Sequence, residues 1–127
     1  MAEKPNGEYT IKIDDEKYTL FYDMNALAEL EEATGKGIGE FQKMFQREED
    51  IRISNFRALF WAGLLHENED LTIKEAGKIL SKMARHDFSG AVEKLGLAFA
   101  AAFGTSEGEA KKRIELEKKK RLNGTGK

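Results

Sequence analysis

The residues able to do chemistry are few and poorly placed for it. The chain of 127 residues has two histidines, His66 and His86, and no cysteine. A protein zinc site draws on closely spaced His, Cys or carboxylate ligands, and neither a His-x-x-x-His nor a His-Cys pattern is present. Both histidines therefore read as solvated loop residues. The acidic run Glu67, Glu69 and Asp70 lacks the Asp-x-Asp-x-Asp-Gly rhythm of a calcium loop and reads as a polar connection. Gly35, Gly37 and Gly39 form G-x-G-x-G, one residue short of the dinucleotide pattern and placed after a helix instead of a strand. They read as a helix stop followed by a flexible link. No G-x-S-x-G or other nucleophile motif occurs. The expectation is a non-catalytic protein with no cofactor and no metal.

Charge is distributed unevenly. From Lys111 onward eight basic residues stand against Glu115 and Glu117, a net of +6. The whole chain carries −2, so residues 1–110 carry −8. A basic segment on an acidic body suits nucleic acid, an acidic partner or its own domain. This one has no aromatic residue to stack on bases, and its glutamates form Glu-first i, i+4 pairs, Glu115 with Lys119 and Glu117 with Arg121. It reads as a solvated helix, with nucleic acid an unfavoured partner.

The elements that would position any site follow from periodicity. Residues 8–13 and 17–22 alternate apolar and polar, with Asp14, Asp15 and Glu16 between them, which predicts a β-hairpin over 8–22. Asp23 is placed to cap a helix with Met24, Leu27, Ala28 and Leu30 inward, ended by Gly35. A short helix over 38–45 turns Phe41, Met44 and Phe45 inward. Ser54 is placed to cap the next helix, in which Phe56, Leu59, Phe60, Gly63 and Leu64 repeat at helical period. Trp61, about 100° away from Phe60 on that helix, should sit at the edge of the core or under the hairpin. Thr72 and Glu75 form a capping box opening a further helix, expected to pack antiparallel to its predecessor. Asp87 caps the next, with Phe88, Ala91, Val92, Leu95, Phe99, Ala102 and Phe103 in phase. Ser106 and Glu109 would open the charged helix. The expected fold is mainly α: a hairpin, then a compact bundle of about five helices, the last one charged. Residues 1–108 form a single globular domain, with helices over 23–103, and 109–127 a charged tail.

Composition narrows the class further. The start, MAEKPNGEY, lacks the apolar core of a signal peptide, and the apolar run 95–103 is too short to cross a bilayer. The absence of cysteine suits a reducing compartment. These features lead to the expectation of a soluble protein with no membrane partner.

Two stretches carry a resemblance. Tyr22-Asp23-Met24-Asn25-Ala26-Leu27 with Glu29 and the Gly35 stop, and Leu59-Phe60-Trp61-Ala62-Gly63-Leu64 with Leu71-Thr72 and Glu75-Ala76-Gly77, resemble the tail assembly chaperones of long-tailed, siphovirus-like bacteriophages. They are similar also to the related proteins of gene transfer agents. The resemblance covers residues 9–80. It implies a protein of the host bacterial cytoplasm, not retained in the mature virion. Such a protein binds the phage tape measure protein, keeps it soluble and helps tail tube protein assemble around it. The alternative is a small helical adaptor or nucleic-acid-binding regulator using its basic C-terminal tail. Against that stands the acidic body, with Arg57 the sole Lys or Arg in residues 54–69.

On the chaperone reading, partner contact or self-association is expected at Trp61, Leu65, Met83, Leu97, Ala98 and Ala101. The stretch 95–103 is apolar nearly all round, which marks a helix either central in the core or part of a subunit contact. The hairpin edge is the other expected docking feature.

Overall fold

The structure is a computed structural model and describes residues 7–102. Within them the chain forms an antiparallel hairpin, β1 (Tyr9–Ile13) and β2 (Glu16–Leu20), followed by five α-helices. These are α1 (Met24–Thr34), α2 (Ile38–Met44), α3 (Ile53–Leu64), α4 (Ile73–Ala84) and α5 (Phe88–Ala101), with a 3-10 turn at Glu48–Asp50 between α2 and α3. The mainly α architecture expected from periodicity is the one observed. The expected charged last helix with its Ser106–Glu109 cap, Phe103, and the expected domain boundary at residue 108 lie outside the described residues.

The hairpin closes more tightly than its acidic turn suggests. Ile13 pairs directly with Glu16, so the loop is two residues, Asp14 and Asp15, both at positive φ of 51° and 40°. Two-residue loops with two left-handed positions match the twist of the strands, and aspartate tolerates that region better than most residues. Tyr9, Ile11, Ile13 and Leu20 point into the core, while Lys12 and Lys17 face each other on the solvent side.

Past β2 the chain is fastened to α3. The Phe21 N–H donates to the Gly63 carbonyl at 2.9 Å, and the Tyr22 hydroxyl donates to the Leu59 carbonyl at 2.6 Å. A Cβ on Gly63 would lie 2.7 Å from Leu20 Cδ2 and 2.8 Å from Tyr22 Cζ. Gly63 is thus what lets the hairpin exit lie flat on the helix. Gly63→Ala should cost about 2 kcal/mol by overpacking, despite the better helix propensity of alanine. Urea denaturation checks it, and a stabilised variant would contradict this docking.

Tyr22 is buried, and burial pushes its phenol well above its ordinary value. The native hydroxyl keeps its proton to higher pH than the unfolded one, which titrates near pH ~10. The associated stability is complete below that value and falls above it, by about 1.4 kcal/mol per pH unit. Tyr22→Phe should remove that part of the alkaline loss, measured as the difference between urea midpoints at about pH 9 and about pH 11.

Local signals set most helix ends. Asp23 Oδ1 accepts from the Ala26 N–H at 2.8 Å, and Gly35 ends α1 at φ 72° with its N–H donating to the Glu31 carbonyl. Thr72 and Glu75 form the reciprocal capping box, at 3.1 and 2.9 Å. Asp87 accepts from the Gly90 N–H at 3.0 Å. Three expectations need correction. The buried side of α1 is Ala26, Leu27 and Leu30, the face that packs on α3, while Met24 and Ala28 are exposed. The N-cap of α3 is Arg52, so Ser54 lies inside the helix and is exposed. Gly37 caps α2, its N–H held by Glu40, and Gly39 is helical, so the glycine run is more ordered than a flexible link.

All five elements and the hairpin share one buried cluster. Phe56, Leu59, Phe60 and Leu64 of α3 are all buried, as their spacing requires. Phe99 of α5 collects Tyr22, Phe41 and Phe45 around its ring at centroid distances of 5.5, 6.3 and 6.3 Å. That aromatic group ties the hairpin exit and α2 to the last described helix.

Candidate partner-binding surface

The six residues expected to contact a partner separate into two groups. Leu97, Ala98 and Ala101 are buried, Ala98 fully, because α5 runs beneath β1 and against α4. The end of α5 also lies against the start of the hairpin, where the Ala101 carbonyl would stand 3.3 Å from a Cβ at Gly7. This face is core within the domain. The near-continuous apolar run of α5 therefore reflects central burial, the other meaning that such a helix can have.

Trp61, Leu65 and Met83 are half-buried. Trp61 lies at the core edge, turned toward the α3–α4 loop, and its indole N–H donates to the Leu71 carbonyl at 2.7 Å. Leu65 follows directly at the end of α3. Met83 sits ten residues beyond Ile73 on α4, about 15 Å along the axis by helix rise. The three residues thus mark the two ends of one helix pair and not a single pocket.

Arg57 and the lysines of α4 complete that surface. The stem of Arg57 crosses α4 at Gly77, where a Cβ would fall 2.9 Å from Arg57 Cδ. Contacts from Arg57 to Gly77 and from Trp61 to Leu71 run in opposite directions along the two helices, so α3 and α4 are antiparallel, as their short loop implies. Arg57 Nε is buried and has no hydrogen-bond partner among the described residues. Lys74, Lys78 and Lys82, spaced by four, form an exposed row on α4, continued by Arg85. The ion pairs among the described residues are those of Arg47 with Glu49 and Asp50, so this row has none there. The four-residue lysine spacing is legible in the sequence; the crossing of Arg57 over Gly77 is a tertiary fact.

The remaining candidates are less developed. His66 is exposed but engaged: its Nε2 is 2.7 Å from the Thr19 carbonyl and its ring meets Phe21 edge-on at 5.6 Å. His86 is exposed. An open cleft of about 310 Å³ between α2 and the start of α3 has walls of mixed charge, with Lys36, Lys43 and Arg52 against Glu40 and Asp50. Among the described residues no group of three or more His, Cys, Asp or Glu is gathered closely enough to hold a metal, and no helix is long and apolar enough to cross a membrane.

Comparison with curated proteins and with solved structures returned no match. Residues 6–105 match the model of a protein family described as phage tail tube protein, GTA-gp10. That match spans the hairpin and all five helices, and the chain belongs to this family of phage and gene transfer agent tail proteins.

Proposed function

We propose that this tail protein is a tail assembly chaperone. It binds the long helical tape measure protein, keeps it soluble and promotes assembly of tail tube protein around it, without catalysis. It acts in the host cytoplasm and is not retained in the virion. Family membership supplies the tail context. The observation that carries the binding reading is the α3–α4 helix pair, on which Trp61 and Leu65 of α3 are half-buried and Lys74, Lys78 and Lys82 of α4 are exposed. A half-covered Trp with Arg57 one turn away on the same helix has the residue types enriched at interface centres. Co-expression with the tape measure protein of the same phage tests the reading. The partner should move from the pellet to the soluble fraction and copurify with this chain; precipitation unchanged by the chain would overturn it.

The family's description as a tail tube protein favours a second reading, that the chain is itself a tube subunit. Purified protein would then polymerise unaided into tubes visible by negative-stain electron microscopy. The chaperone reading expects no tubes from this chain alone.

A further inference from the structure

We infer that the α3–α4 seam is a docking groove for an acidic helix, with Arg57 as the central anchor and the α4 lysines as the guiding rail. The inference rests on the chaperone reading and assigns the contact within it: the occupant is a helical segment of the tape measure protein. Three observations support it. Arg57 Nε is buried with no partner among the described residues, and the free energy that an unpaired buried donor costs is recovered when an acceptor draws the guanidinium outward. Gly77 stands inside α4, where glycine is unfavourable relative to alanine, and its missing Cβ is what seats the Arg57 stem. Lys74, Lys78 and Lys82 are exposed along about 12 Å of α4, turned about 60°, 100° and 140° round the helix from Gly77, so Lys74 stands nearest the seam and the row leads away from it.

These features specify the occupant. A helix laid along the seam would present carboxylates at i, i+4 and i+8 to the lysine row. One further Glu or Asp would reach Arg57, with apolar residues at adjoining positions against Trp61 and Leu65. Guanidinium binds carboxylate in a planar two-bond geometry that an ammonium does not reproduce. Nucleic acid fits less well. The loop closing the seam carries Glu67, Glu69 and Asp70, and residues 1–110 carry −8, both repelling a phosphate backbone.

Trp61 is the only tryptophan in the chain and lies beside the seam, so its emission reports occupancy directly. The full chain is titrated with overlapping 25-residue peptides covering the tape measure protein, and separately with a 20-base-pair DNA duplex. Peptides that shift the emission should carry the spaced carboxylates, and replacing the central one by its amide should weaken binding about tenfold. Arg57→Gln should abolish that discrimination. Lys74→Glu, Lys78→Glu and Lys82→Glu together should weaken every acidic peptide without changing the fold, since all three side chains are exposed. Gly77→Ala should weaken binding while leaving the melting temperature equal or higher. The inference is overturned if the wild type keeps the tape measure protein soluble and binds its peptides, yet these variants bind equally. It is overturned also if the DNA duplex, and no peptide, shifts Trp61. If the wild type neither solubilises the tape measure protein nor binds any of its peptides, the chaperone reading fails with it.

Discussion

Ala101→Asp will unfold the domain, or destabilise it by at least about 3 kcal/mol, the scale for burying a charge with no partner. Ala101 is 6% exposed in the last turn of α5, and its backbone lies against Gly7. A carboxylate there faces the negative end of the helix dipole as well as loss of water. Circular dichroism and urea denaturation of the purified variant measure the effect. A variant that folds with unchanged stability but loses its partner would restore this helix as a contact surface and contradict the burial described for it.

Phe99→Ala should be at least as damaging, about 4 kcal/mol, because it removes a ring that three others enclose. Tyr22, Phe41 and Phe45 approach from separate elements, so collapse around the vacated space requires the hairpin exit and α2 to move together. The size of that loss, read as a change in urea midpoint at constant slope, distinguishes a rigid core from an adaptable one. A cost below about 1 kcal/mol, the range of surface substitutions, would show that Phe99 is not the junction of these elements.

How far the fold was legible depended on whether a local cause decided it. Asp23, Gly35, Thr72 with Glu75, and Asp87 cap helices through bonds to residues within four positions, so their types and spacing suffice. The inward placing of Phe56, Leu59, Phe60 and Leu64 follows from their helical period, and the burial of Ala58 and Ala62 beside them does not. The α1 stripe is out of phase in part because Met24 and Ala28 are apolar yet exposed, and composition does not distinguish an uncovered apolar residue from a covered one. The same ambiguity governs α5. An all-round apolar helix fits the core or an interface equally, and what selects the core is β1 lying across it, a contact between residues distant in sequence.

The candidate site divides along the same line. Trp61 at the edge of the core follows from its angle to Phe60 on the helix. The lysine row of α4 is visible as a repeat of four. That Arg57 reaches across to Gly77, and is left with an unpaired buried nitrogen, depends on how α3 and α4 cross, which no local pattern encodes.

Purified components test the proposed role of this tail protein in holding the tape measure protein in solution. Denatured tape measure protein is diluted into buffer containing increasing amounts of the full chain, and aggregation is followed by light scattering. Scattering should fall to the buffer baseline at a fixed molar ratio, with a soluble complex of the two proteins recovered by gel filtration. Scattering that is the same with and without the chain, while the chain alone remains folded, would contradict it.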